Sequence, residues 1–127
     1  MARNHRIFIS FAIEDKKNRD HLVWQAQKER TAFSFTDMSL NEPFSEKWKT
    51  QCRERIRGCD GVIALLSANT RLADGARWEM RCAVEEQIPI LGVHIYKDAK
   101  GAIPSELVGQ KIIEWTWDGI AAFLAKL

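Results

Sequence analysis

The side chains that could do chemistry gather around one acid, Glu79. It falls in the first turn of a stretch with helical spacing, Ala76 to Gln87, whose Ala76, Met80, Ala83 and Val84 share one face. Ahead of it runs Gly61-Val62-Ile63-Ala64-Leu65-Leu66-Ser67, followed by the small polar stretch Ala68 to Gly75. Behind it runs Pro89-Ile90-Leu91-Gly92-Val93-His94-Ile95-Tyr96. Runs without alternation are strands buried on both faces, hence a parallel sheet covered by helices. Glu79 then lies beyond the carboxyl end of a central strand, the edge where open parallel sheets bind ligands. Ser10, Phe11 and Ala12, Asp37 to Leu40, and Ser67 to Thr70 should reach the same edge. The set holds one prominent carboxylate, several small hydroxyls and nearby aromatics. A solvated acid favoured by the helix N-terminus is the alternative reading of Glu79.

Several chemistries are excluded. A phosphate-binding glycine loop should follow the first strand, and Phe11-Ala12-Ile13-Glu14-Asp15-Lys16 contains no glycine. A phosphoacceptor receiver domain needs an aspartate after the third strand and a lysine after the fifth; Ser67 and Trp115 stand there. No G-x-S-x-G elbow and no nucleophilic cysteine setting occurs. His5, His21 and His94 are far apart, and His94 reads as a core residue. Cys52, Cys59 and Cys82 lack metal-type spacing and read as reduced core thiols of a cytoplasmic protein. No metal site is expected; Glu14-Asp15 is better explained by Asp15 capping a helix.

The elements that position these groups follow in order. Arg6 to Ala12 is a strand, and the next helix turns Leu22, Val23 and Ala26 inward, leaving Trp24 as a rim residue or a subunit contact. Phe33 to Asp37 alternates as a second strand. Met38 to Glu42 is a loop, and Pro43 suits the first position of a helix with an apolar stripe at Phe44, Trp48, Cys52 and Ile56. The last strand and helix are Lys111 to Trp115 and a segment capped by Asp118, with Ile120, Phe123, Leu124 and Leu127 inward. Right-handed crossovers make this one α/β domain over residues 1–127: a doubly wound five-stranded parallel sheet of flavodoxin-like order 2-1-3-4-5. The chain is 46% apolar and 28% charged with a net charge of +2, which suits a soluble globular domain and gives no basic patch for nucleic acid. No stretch approaches the ~20 apolar residues of a membrane span, and Met1 to Arg6 has no signal-peptide character.

Four stretches together resemble TIR and TIR-like domains. They are Arg6-Ile7-Phe8-Ile9-Ser10-Phe11, Phe35-Thr36-Asp37-Met38-Ser39-Leu40, Cys59-Asp60 with the strand to Ser67, and Trp78-Glu79-Met80 followed by Ala83 and Gln87 to Val93. The resemblance is closest to the TIR-like group that includes the Thoeris antiphage cyclases. It implies cleavage of NAD⁺ at the nicotinamide–ribose bond, with NAD⁺ as substrate and no cofactor. The product would be a cyclic ADP-ribose signal, read by a separate effector. By position, Glu79 would be the catalytic carboxylate, Ser10 and Phe11 would line the nicotinamide side, and Asp37 and Ser39 would belong to the loop over the substrate. For Asp37 and Ser39, ordinary turn chemistry is the competing account. Many TIR enzymes carry a tryptophan four residues before the glutamate; here that position is Gly75, and Trp78 directly before Glu79 is the substrate-side aromatic instead.

A lone carboxylate suits that reaction. Ordinary glycosidases use two because a neutral leaving group must be protonated. Nicotinamide leaves from a cationic state and needs no acid, so the site has to stabilise an oxocarbenium-like ribose. Cys82 and Ala83, three and four residues on, suggest a partly dry setting that raises the Glu79 pKa. The loop Met38 to Pro43 is expected to be mobile in the isolated protein and to be ordered by self-association with a neighbouring chain, so that activity rises faster than linearly with concentration or requires an activator. Two other readings stay open. Asp74-Gly75-Ala76-Arg77-Trp78-Glu79 is also similar to nucleoside 2-deoxyribosyltransferases, although Phe11-Ala12 replaces their usual Gly-Pro. A non-catalytic adaptor that binds other such domains is the third.

Overall fold

Each strand of the sheet shows why its residues take that form. The computed structural model describes residues 5–31, 33–38 and 45–127. Strand β1 (His5–Ser10) alternates Ile7 and Ile9 toward one layer with Phe8 and Ser10 toward the other. It lies between β2 (Phe33–Thr36) and β3 (Gly61–Leu66). Beyond β3 come β4 (Ile90–His94) and β5 (Lys111–Glu114), completing a parallel sheet of order β2-β1-β3-β4-β5. All positions of β3 are buried, as its unbroken apolar run requires.

Two apolar layers flank the sheet. Phe8, Val62, Ala64 and Leu66 pack with Trp48, Cys52 and Ile56 of α2 (Glu46–Arg57) and Met80 and Ala83 of α3 (Asp74–Glu85). Ile7, Ile9, Ile63 and Leu91 pack with Leu22 of α1 (Lys16–Lys28) and with Ile120 and Leu124 of α4 (Trp117–Ala125). The loop after β4 folds down onto the loop after β3. Gly101 makes that approach at φ 74°, and a Cβ there would stand 2.8 Å from the Ala68 backbone.

The element order and sheet order agree with the sequence expectation, but several boundaries and roles differ. Phe11 and Ala12 lie past the end of β1, because the Asp15 N–H bonds to the Ala12 carbonyl at 2.8 Å and starts a 3-10 turn, Ile13–Asp15. Asp15 stands at the N-cap of α1, yet its side chain caps nothing. The α2 helix starts at Glu46, with Ser45 Oγ accepting the Trp48 N–H. Expectations placed on Ser39, Pro43 and Phe44, and on the loop apart from Met38, lie outside the described residues. The α3 helix begins at Asp74, so Glu79 falls in its second turn rather than its first. Val84 is 37% exposed and Cys82 takes the inward place, because α3 presents its face at i, i+3, i+4 from Gly75 and Ala76. Thr116, not Asp118, caps α4 by accepting the Gly119 N–H.

Candidate functional site

The alternation of β1 turns Ser10 under α3. Three residues after Ala76, Glu79 comes round the helix to the same point. Ser10 Oγ lies 2.9 Å from Glu79 Oε1 and 3.0 Å from the Ala76 carbonyl oxygen. On the other side, the Cys52 thiol of α2 reaches Glu79 Oε2 at 3.9 Å. Glu79 is 3% exposed, which rules out a solvated helix-dipole partner. No Lys, Arg or His pairs with it among the described residues.

Burial without a cation disfavours the charged form. The Glu79 carboxyl is accordingly pushed from 4.5 to about 8, chiefly by burial and further by the negative charge of Asp37. The hydrogen bonds from Ser10 and Cys52 pull the other way without cancelling it. The proton count at Ser10 agrees with a neutral acid. One hydroxyl hydrogen cannot serve both Ala76 and Glu79. When Glu79 is protonated, its O–H donates to Ser10 Oγ while Ser10 donates to the Ala76 carbonyl, and all three groups are satisfied. When Glu79 ionises, Ser10 turns its proton to the carboxylate.

Asp37 follows β2 at the same edge. Its carboxylate lies 3.3 Å from Arg19 Nε of α1, and its carbonyl accepts a hydrogen bond from Arg55 of α2 at 2.5 Å. Phe11 packs in the layer of α1 and α4, opposite the Glu79 layer, with the Arg19 guanidinium 5.7 Å above its ring. Trp78 lies on the seam between α2 and α3, edge-on to Trp48 at 5.4 Å and beneath the Arg53 guanidinium. The structure therefore joins Ser10 and Glu79 directly and links Asp37 through charge. Phe11 and Trp78 occupy the two helical layers on either side.

Sequence reasoning missed three features. Cys52 was legible as core filling, with no local signal for its contact with Glu79. Arg19 carried no signal at all. Asp15, 1% exposed, accepts hydrogen bonds from Ser67 Oγ at 2.6 Å and Asn69 Nδ2 at 3.0 Å, tying the turn after β1 to the turn after β3. Those turns meet where the strand order reverses, the usual ligand crevice of such sheets. His94 is buried as expected, but its Nδ1 has no hydrogen-bond partner among the described residues. No group of three or more His, Cys, Asp or Glu among the described residues could hold a metal ion. A cavity of about 250 Å³ between α1 and β2 has Arg19 and Asp37 on its wall, with Val23, Phe33 and Phe35.

A parallel sheet of this order, helices on both layers and a buried acid on the helix after β3 make this a TIR-like α/β fold. The chain belongs to the family described as Thoeris protein ThsB, TIR-like domain, whose model matches residues 8–100. That span holds Ser10, Asp37 and Glu79. Among solved structures, a conserved protein from Enterococcus faecalis V583 is similar, with a TM-score of 0.69 and 15% identity, covering 98% of this chain and 100% of that one. A prokaryotic SEFIR domain is similar with a TM-score of 0.56 and 13% identity, covering 96% of this chain and 88% of that one. At these identities the likeness is one of fold. No curated protein matches the chain. Among the described residues, no helix is long and apolar enough to cross a membrane.

Proposed function

We propose that this chain cleaves NAD⁺ at the nicotinamide–ribose bond and converts the ADP-ribose part to a cyclic signal for a separate effector of antiphage defence. Membership of the Thoeris family supports the defence role. The observation that carries the chemistry is the buried Glu79, with no cation beside it among the described residues and the Ser10 hydroxyl within hydrogen-bond distance of its carboxyl group.

Such a site is built to receive positive charge. With no substrate bound, Glu79 holds its proton at neutral pH, because burial outweighs the hydrogen bonds from Ser10 and Cys52 that favour the charge. A pyridinium ribose brings a cation to the carboxyl group, which favours the ionised form, and the proton leaves to solvent. Ser10 then donates to the carboxylate and holds it in place. The C1′–N bond breaks with its electron pair going to the ring nitrogen, so nicotinamide departs neutral and needs no acid. The positive charge passes to the ribose, where the Glu79 carboxylate stabilises it through a medium with little water. Water, or an oxygen or nitrogen of the same ADP-ribose, closes on the cation and gives up a proton.

The test is to incubate the purified protein with NAD⁺ and separately with deoxynucleosides, and to read products by mass spectrometry. Nicotinamide with a cyclic ADP-ribose product is the expected result. Base exchange between deoxynucleosides would place the chain with deoxyribosyl transfer. No turnover of either, with the fold intact, would leave an adaptor.

A further inference from the structure

Two different elements hold the two oxygens of the Glu79 carboxyl group. Ser10 of β1 meets Oε1 at 2.9 Å, and the Cys52 thiol of α2 donates to Oε2 at 3.9 Å. Ser10 and Cys52 are fully buried and Glu79 nearly so. The seat of α2 fixes the second contact. One turn before Cys52, Trp48 meets Trp78 edge-on at 5.4 Å, so successive turns of α2 rest on the adjacent residues Trp78 and Glu79. The next cysteine takes the ordinary local partner: Cys59 Sγ donates to the Arg55 carbonyl, four residues back, at 3.3 Å. Cys52 turns to Glu79 instead. We propose that Cys52 is a positioning residue of the site: its S–H occupies Oε2, so the proton of the neutral acid sits on Oε1, and the carboxylate keeps the same orientation after that proton leaves.

The count of hydrogens carries the assignment. With the acid proton on Oε1, Glu79 donates to Ser10, Ser10 donates to the Ala76 carbonyl and Cys52 donates to Oε2, so every hydrogen has its acceptor. With the proton on Oε2, it would meet the thiol hydrogen, and Ser10 would have to divide one hydrogen between Ala76 and Oε1. Cys52 remains a donor throughout, because burial and then the Glu79 charge push its thiol far above its ordinary value, with Arg55 and Arg53 offsetting only part. Cys82, further along α3, is pushed up to about 11 and is neutral as well. Asp37, after β2, adds negative charge that opposes ionisation of Glu79. A long thiol contact to an uncharged oxygen is a weak bond, and it strengthens once Oε2 carries charge. The effect on turnover rests on the NAD⁺ reading above; the placement of the proton does not.

The experiment reads the Cys52 S–H stretching band by infrared spectroscopy across pH, while ¹³C NMR follows the Glu79 carboxyl and melting curves follow the fold. The band is assigned as the one lost in Cys52→Val and the one left in a Cys59→Ala/Cys82→Ala protein, where Cys52 is the remaining thiol of three. In the wild type it should fall in frequency in step with the Glu79 titration near pH 8, and in Glu79→Gln it should not respond to pH over that range. Cys52→Val removes the donor and keeps the space filled, so the Glu79 midpoint should rise by about half a unit. Water let in by a loosened core would lower it instead. Nicotinamide release at neutral pH should fall about threefold in Cys52→Val and recover at higher pH. A Cys52 band that ignores the Glu79 titration would overturn the proposal, as would a Cys52→Val midpoint at or below that of the wild type. If no protein released nicotinamide, the NAD⁺ reading would fail while the band and the midpoint still decided the role of Cys52.

Discussion

Ser10 and Glu79 are 69 residues apart in the chain, and their side-chain oxygens meet at 2.9 Å in the buried layer between β1 and α3. That single contact joins the end of the first strand to the helix after the third. Ser10 is also the one hydroxyl that bonds the Glu79 carboxyl group among the described residues, accepting from it when it is neutral and donating to it when it is ionised.

Replacing Glu79 by Gln should abolish nicotinamide release, a loss of at least ~10²–10³ in rate, because the charge that stabilises the ribosyl cation is gone. The stability effect should depend on pH. The Glu79 carboxyl is raised from 4.5 to about 8 in the folded protein, so its neutral form is the one the fold accepts. Its contribution is fully present below pH 4.5 and declines as pH rises toward 8, where the folded protein must bury a charge. Glu79→Gln should therefore melt close to the wild type in mild acid and above it at pH 9. Glu85→Gln, on the exposed part of α3, is the control for both assays. A Glu79→Gln protein with wild-type turnover would remove Glu79 from the mechanism.

Ser10→Ala should lower kcat/KM by about tenfold to a hundredfold, the worth of one hydrogen bond to a charged group. It should also move the Glu79 midpoint upward, since the Ser10 hydrogen bond is what favours the ionised carboxyl most. Ser10→Thr keeps the hydroxyl, and recovery of activity there would distinguish the bond from the space it occupies. An unchanged midpoint in Ser10→Ala would show that the hydroxyl does not serve the carboxylate.

The pH profiles of kcat/KM and kcat should separate. The first reports the free protein, so it should rise with pH to a midpoint near 8. The second reports the complex, where the pyridinium charge favours ionised Glu79, so its midpoint should lie lower. Steady-state rates from pH 5.5 to 9.5 would show this; coincident midpoints would argue against a cation bound beside Glu79.

Asp15→Ala should cost about 2–4 kcal/mol of stability, because Ser67 Oγ and Asn69 Nδ2 lose their shared acceptor inside the protein. Asp15→Asn keeps one acceptor oxygen and should cost roughly half as much. Urea unfolding measures both. A loss under about 0.5 kcal/mol for Asp15→Ala would mean that the bridge between the two turns contributes little.

The sheet and the edge that carries the candidate residues were legible because they follow from local patterns. Unbroken apolar runs at Gly61–Leu66 and Ile90–His94, separated by helical spacing, leave little choice but parallel strands and a crossover. The strand ends carry Ser10, Asp37 and Ser67 to one edge, whereas Phe11, expected beside Ser10, packs in the opposite layer. The partners were decided by tertiary structure. Whether Asp15 caps its own helix or bridges to Ser67 and Asn69 depends on how near β3 ends, and the buried bridge replaces a cap that solvent could supply instead. Whether Glu79 is a surface acid or a neutral buried one depends on α2 bringing Cys52 over it and β1 bringing Ser10 under it. Arg19 meets Asp37 and Phe11 only because α1 lays its first turn across the end of β2. Burial and charge pairing are sums over atoms distant in sequence, so periodicity can name the acid but only the packed fold can set its protonation.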